Sequence, residues 1–362
     1  VQISLPLFSV FLPPLVGMLI ISYSVMISMG VVAVPLRIKL IIASLFMVTI
    51  PLVILSIVST ISTQNSISEQ RNENLRLAAE RTALAVDTLI STNRQAVEED
   101  SKIPLLANFL ALPESARSDL LEGLRITFSA LSQRSAGVIR SFGLLDLTGT
   151  NIFDTDETQV NKLEGFTDYF IEAFARQKSF VSNIRFSEDR KAFIHISSPI
   201  LDSESNSLGV LRVILNADAI QTVLENNQNL AGPNTRPLLL DENQVRIADT
   251  YNNTFLYKSL APLNTSQLTT LKTTGRLPDL PDALLSTNMT GLANELIKHT
   301  DKKFFTATMT TSYPETQNLE TITIAQVPSK PWKVLYTQRT EELQNLINEQ
   351  TSLSWLITTI IA

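Results

Sequence analysis

Phe142-Gly-Leu-Leu-Asp-Leu-Thr-Gly-Thr150 runs directly into Asn151-Ile-Phe-Asp154, and the reading of this stretch decides the fold. Val138 to Asp146 has the composition and period of a strand. Asp146-Leu-Thr-Gly-Thr150 is a turn in which Gly149 is placed for a positive φ. Asn151–Asp154 begins the return strand. Downstream, Phe166 to Arg176 reads as a short aromatic helix. Ala192–Ile200 and Leu208–Leu215 are strands joined by the polar loop Asp202-Ser-Glu-Ser-Asn-Ser207, and Ala217–Asn226 closes the unit as a helix. This order specifies an α+β domain with helices on one face of an antiparallel sheet.

A weaker copy follows. Leu238-Leu-Leu-Asp-Glu-Asn-Gln-Val-Arg-Ile-Ala-Asp249 repeats the strand, polar turn and strand of Leu144–Asp154. Phe304–Thr311, Glu320–Val327 and Trp332–Thr337 supply its later strands, and Tyr251–Thr300 is a polar, partly helical insertion. From Gln338 a helix is expected to run toward the end of the chain. Two similar units in tandem are an internal repeat at domain scale.

Upstream, residues 64–111 are helical. Leu75, Ala78, Thr82, Val86, Leu89, Asn93 and Val97 recur at spacings of three and four, forming one apolar stripe. No Pro or Gly interrupts the pattern before Pro104. Its distal half packs on its own domain, and Ser62–Leu77 is available to a second protomer. Pro113-Glu-Ser-Ala-Arg opens a further helix with the stripe Leu120, Leu121, Leu124, Phe128 and Leu131.

Apolar runs bracket this middle. Leu40–Ile61 carries no charge and is long enough for a bilayer core of ~30 Å, and a second run begins at Leu353. Arg37 and Lys39 sit just before the first run and favour the cytoplasmic side, so residues 64–350 are expected to be extracytoplasmic at a cell membrane. The uncharged segment 1–36 is either a further membrane helix or an over-extended start. The net charge of −6 gives no electrostatic case for nucleic acid. The absence of cysteine excludes disulfides, thiol catalysis and thiolate metal sites. No phosphate loop, metal cluster or nucleophile motif supports an enzyme in this region, and neither metal nor cofactor is expected.

The order of these elements resembles the double Cache sensor domain of bacterial transmembrane receptors, across residues 64–350. The resemblance rests on Phe142–Thr150, Asp168-Tyr-Phe-Ile-Glu-Ala173, Phe180-Val-Ser-Asn183, Ile196-Ser-Ser-Pro-Ile-Leu-Asp202, Leu208-Gly-Val-Leu211 and Pro331-Trp-Lys-Val-Leu335. Together with the apolar runs, it divides the chain into an apolar segment (1–36), a transmembrane helix (38–61), a stalk helix (62–112), distal and proximal PAS-like Cache units (113–230 and 231–338), an exit helix (339–352) and the start of a second membrane helix (353–362). It also implies a small-molecule pocket in the distal unit. Thr167, Tyr169 and Phe170 would stand on the helix side, and Phe180, Asn183, His195 and Ser197 on or near the sheet side. Arg185 and Arg190 read as solvated side chains, either of which could supply positive charge for an anionic ligand.

Two departures matter for the ligand. Thr167 stands where the family's amino-acid-binding pattern has an Arg, and Ile214 where it has an Asp. A buried carboxylate or ammonium needs a charged partner or several hydrogen bonds, so the ligand is not expected to be a standard α-amino acid. The expected function is ligand sensing by a homodimeric membrane receptor whose output, a kinase or cyclase among the options, lies beyond Ala362. A non-signalling surface or adhesive protein is the alternative.

Overall fold

The structure is a computed structural model that describes residues 36–134, 137–187, 189–298, 304–310 and 317–341. The chain divides into two units, Ser66–Ile347 and a smaller one comprising Val1–Asn65 and Asn348–Ala362. Helix α1 (Leu36–Asp100) contributes to both.

In the smaller unit, the described side chains of the uncharged run include Ile41, Ile54, Val58 and Ile61, all exposed. Among the described residues no helix is long and apolar enough to cross a membrane. The spanning helix expected over 38–61 is therefore not found as such, and most side chains of that run lie outside the described residues. So do residues 1–35 and 342–362, with the expected N-terminal segment, most of the exit helix and the second apolar run.

In the larger unit, α1 lays Leu75, Ala78, Thr82, Val86 and Val97 into the core as the stripe requires, with Ala79, Ala83 and Ile90 beside them. The helix ends sooner than its pattern suggests. Pro104 biases Ile103 toward extended backbone (φ −60°, ψ 119°), and the chain restarts as α2 (Pro104–Ala111) with proline in the first turn, where its missing N–H is not needed. A 3₁₀ turn (Glu114–Ala116) and α3 (Ser118–Arg134) follow, burying Leu124, Phe128 and Leu131.

The distal sheet comprises β1 (Ile139–Leu145), β2 (Asn151–Asp154), β3 (Phe180–Val181), β4 (Arg185–Phe186), β5 (Ala192–Leu201) and β6 (Ser207–Asn216). Its order is β2-β1-β6-β5-β3, with β4 also on β5. Helix α4 (Asp168–Arg176) covers one face, and α5 (Asp218–Asn226) leads toward the second unit. The proximal sheet holds β7 (Arg236–Leu240), β8 (Arg246–Asp249), β9 (Phe305–Thr310), β10 (Gln317–Gln326) and β11 (Lys333–Arg339) in the order β8-β7-β11-β10-β9. Helices α6 (Thr265–Thr273) and α7 (Thr290–Lys298) fill the insertion. The strand β11 continues to Arg339, past the expected helix start at Gln338, because β10 pairs that far: Thr321 opposes Gln338 and Glu320 opposes Arg339.

The repeat is visible in hydrogen bonds. Asp146 Oδ1 accepts from the backbone N–H groups of Thr148 and Thr150, at 2.8 and 3.0 Å. Asp241 Oδ1 accepts from those of Asn243 and Val245, both at 2.8 Å. Each hairpin also slips register one step before its Asp, between Leu144 and Leu145 and between Leu239 and Leu240. Gly149 (φ +79°) is required twice over, since a Cβ there would lie 2.2 Å from the Gly165 Cα.

Candidate ligand site in the distal unit

Side chains alternate along β5 and β6. Ile194, Ile196, Leu211 and Val213 join the core cluster that contains α1, leaving His195, Ser197, Arg212 and Ile214 for the face under α4. In register, His195 opposes Ile214, and Ser197 opposes Arg212. Helix α4 lowers Tyr169 onto this face. Its ring stacks on the His195 imidazole with centroids 3.9 Å apart, and Phe193 meets His195 edge-on at 5.0 Å. Ser197 Oγ donates to the Tyr169 carbonyl oxygen (2.7 Å), fixing helix to sheet.

Arg185 stands at the rim. Its guanidinium lies 5.9 Å from the Tyr169 ring centroid. Its Nη2 donates to Asp168 Oδ1 (2.8 Å) and its Nη1 to the Thr274 carbonyl of the proximal unit (3.2 Å). The structure thus brings Tyr169, His195, Ser197 and Arg185 together. Phe170 and Phe180 pack one step away, with Leu145, Ala173 and Val210. Thr167 precedes α4 and donates its hydroxyl to the Glu164 carbonyl oxygen (2.7 Å). Asn183 is half-buried, and its carbonyl accepts from Ser182 Oγ (2.8 Å).

Beneath Tyr169 lies a cluster that sequence reasoning missed. Arg212, 1 % exposed, donates from Nη2 to Asp154 Oδ2 (2.6 Å) and Glu164 Oε1 (3.1 Å). Its Nε reaches Glu164 Oε2 (3.2 Å) and its Nη1 reaches Ser141 Oγ (3.2 Å). The Tyr169 hydroxyl donates to Glu164 Oε2 (2.8 Å), and Asn151 Nδ2 donates to Asp154 Oδ2 (2.9 Å). A Cβ on Gly143 would sit 2.7 Å from Asp154 Oδ2 and 2.9 Å from Arg212 Nη2, so glycine there makes room for the ion pair. The one sequence signal was Arg212 itself, a lone charge inside the apolar run Leu208–Leu215.

Protonation follows from burial. His195 is held well below the usual histidine range by burial and then by the Arg212 and Arg185 charges, which keeps the imidazole neutral. Its Nδ1 is buried without a hydrogen-bond partner. Burial, and next the Glu164 carboxylate, pushes the Tyr169 hydroxyl up, and burial raises Asp154.

A second cation comes from the proximal unit, where nothing local in sequence marks it. Lys330, in the β10–β11 turn, donates to the carbonyls of Val181 (2.5 Å) and Ser182 (3.0 Å). Its ammonium lies 5.9 Å from the Phe180 ring centroid and 5.7 Å from that of Trp332. Burial brings its pKa down to about 8.

No family model matches the chain, and no curated protein does. Solved structures do. The sensor domain of the V. cholerae histidine kinase DctB is similar over 77 % of this chain and 98 % of its own, with 14 % identity and a TM-score of 0.57. The ligand-binding domain of the Campylobacter jejuni chemoreceptor Tlp3, in complex with 4-methylisoleucine, is similar over 77 % of this chain and 94 % of its own, with 14 % identity and a TM-score of 0.52. The same domain with L-valine covers 78 % of this chain and 98 % of its own at 14 % identity and a TM-score of 0.50. At that identity the likeness is one of fold. With two bulged hairpins, two antiparallel sheets in tandem and one long helix, the chain has the fold of the double Cache sensor domains.

Proposed function

We propose that residues 66–341 sense a small molecule for a membrane receptor, and that the distal unit holds it at the wall formed by Tyr169, His195, Ser197 and Arg185. The observation carrying this reading is the Tyr169–His195 stack between α4 and β5, a joint between helix and sheet that a ligand can enter or tighten. Phe170, Phe180, Thr167 and Asn183 border it. The Tlp3 domain is known with L-valine and 4-methylisoleucine. This chain offers such ligands less, because Thr167 and Ile214 carry no charge and Arg212 already faces two carboxylates. The ligand is therefore a small molecule other than a standard α-amino acid.

Signalling in this reading is a change in helix packing. The uncharged run over 40–61, with Ile41, Ile54, Val58 and Ile61 turned outward, suits lipid. Leu77 and Leu84 lie seven residues apart and are both exposed, as a partner helix in a homodimer requires. Residues 64–350 then lie outside the cytoplasm.

A thermal-shift screen of small metabolites against the full chain and its Tyr169→Ala variant tests the site. The expected result is a compound class that raises the wild-type midpoint and leaves the variant unmoved. A class that stabilises both equally moves the site elsewhere.

A further inference from the structure

A cavity of about 570 Å³ lies apart from the Tyr169–His195 wall, between the end of α1, the start of α2, the α4–β3 loop and the end of β5. None of the eight residues considered above lines it. Its volume is in the range of small-molecule sites, ~300–1,000 Å³. Ser101 and Ser198 form a buried floor, their hydroxyl oxygens 3.0 Å apart, and Ala107, Pro199 and Leu201 give an apolar wall.

The rim is polar and biased in charge. Arg94, Lys102 and Lys178 face one carboxylate, Glu98. Arg94 Nη1 donates to Ser179 Oγ (2.9 Å) and stands 3.4 Å from Glu98 Oε2. The Ser179 hydroxyl in turn donates to Glu98 Oε2 (2.8 Å). Lys102 pairs with Glu99 at 2.8 Å, with both side chains largely in solvent, so that pair holds the ammonium weakly. Lys178 is exposed and has no ion-pair partner among the described residues. Three cations suit an anionic group. Glu98 and Ser179 suit hydroxyls, which can donate to the carboxylate. Gln177 Nε2 already donates to the Ser205 carbonyl (3.0 Å) and Ser207 Oγ (3.4 Å), so its Oε1 is the atom that can accept from a ligand hydroxyl.

From this juxtaposition we infer a second small-molecule site, which takes a polyhydroxylated anion such as a phosphorylated or carboxylated sugar. It adjoins α1 directly, so an occupant ties the helix to the α4–β3 loop independently of the Tyr169–His195 wall.

The chain has no cysteine, so one introduced thiol reports alone. In the full chain, Ala107→Cys places it in the cavity wall and Ser266→Cys places it on exposed α6 as a reference. Maleimide labelling is followed with glucose 6-phosphate, gluconate, glucose, or sodium sulfate at matched ionic strength. Either anionic sugar is expected to slow labelling at position 107 at least threefold, with no effect at position 266, while glucose and sulfate leave both rates unchanged. Lys102→Glu with Lys178→Glu is expected to abolish the protection. Leu201→Cys, at the β5 end of the same apolar wall, gives the same readout should Ala107→Cys fold poorly. No protection by either sugar, equal protection by sulfate, equal slowing at position 266, or protection that survives charge reversal would each overturn the inference.

Discussion

Arg212 on β6 and Asp154 on β2 are joined at 2.6 Å across the Gly143 gap in β1, with both side chains fully withdrawn from water. The repeat makes the pairing informative. In the proximal unit the equivalent Asp249 takes its cation from within its own strand, Arg246 Nη1 at 2.8 Å. The position equivalent to Arg246 is Asn151, which donates to Asp154 only as an amide. The distal unit takes its cation from β6 instead, beside Ser197 and under Tyr169. That placement puts a charged network at the floor of the proposed ligand site.

Removing one member of a buried ion network leaves its partners uncompensated, at a cost of about 3–5 kcal/mol. Arg212→Ala should therefore lower unfolding stability by about that much, measured by denaturant titration. Arg212→Met combined with Asp154→Asn should recover part of the loss, because fewer buried charges stand alone.

Gly143→Ala should be destabilising although alanine fits β-strand φ and ψ. Its methyl would press the Arg212–Asp154 pair apart, and overpacking of this kind costs about 1–3 kcal/mol. The same substitution at Gly291, where an added Cβ meets nothing, should have no comparable effect on the thermal midpoint.

His195 is neutral and buried in the fold, with its pKa depressed below the unfolded value near 6.5. The unfolded chain therefore binds the proton first as pH falls. The stability conferred by the neutral imidazole is complete above pH 6.5 and declines below it, toward the folded pKa. His195→Phe keeps an aromatic ring against Tyr169 and should flatten the fall in thermal midpoint between pH 6.5 and 5.

Lys330 gives the opposite end of the scale. Its pKa of about 8 in the fold lies below the ordinary 10.5, so folding releases a proton between those values. Stability should rise with pH from about 8 to 10.5, by no more than about 3 kcal/mol, and Lys330→Met should lack that rise. At pH 7 the variant leaves the Val181 and Ser182 carbonyls short of a donor, which costs about 1–3 kcal/mol for each one left unpaired. Chemical denaturation of both proteins across this range separates the two effects.

Much of the fold was legible because its elements are locally encoded. Asp146, Gly149 and the alternation around them fix the first hairpin, and Asp241 repeats it. The two-residue strands β3 and β4 leave no signal of their own, since Phe180–Val181 and Arg185–Phe186 are strands only by pairing with β5. Of the residues expected at the ligand pocket, Tyr169, His195 and Ser197 come into contact. The ionic floor was invisible because Arg212 lies 58 residues from Asp154 and 48 from Glu164 and meets them only when β2, β1 and β6 lie side by side.

Among the described residues at the Tyr169–His195 wall, Arg212 faces Asp154 and Glu164, Arg185 faces Asp168, and Lys330 is held by the Val181 and Ser182 carbonyls. The central claim is that an amino-acid ligand would have to break an existing contact to pair its carboxylate or ammonium there. Calorimetric titration of the full chain with the twenty standard amino acids tests it most directly. No saturable heat at micromolar concentrations is expected for any of them. Micromolar binding of one, abolished by Tyr169→Ala, would contradict it.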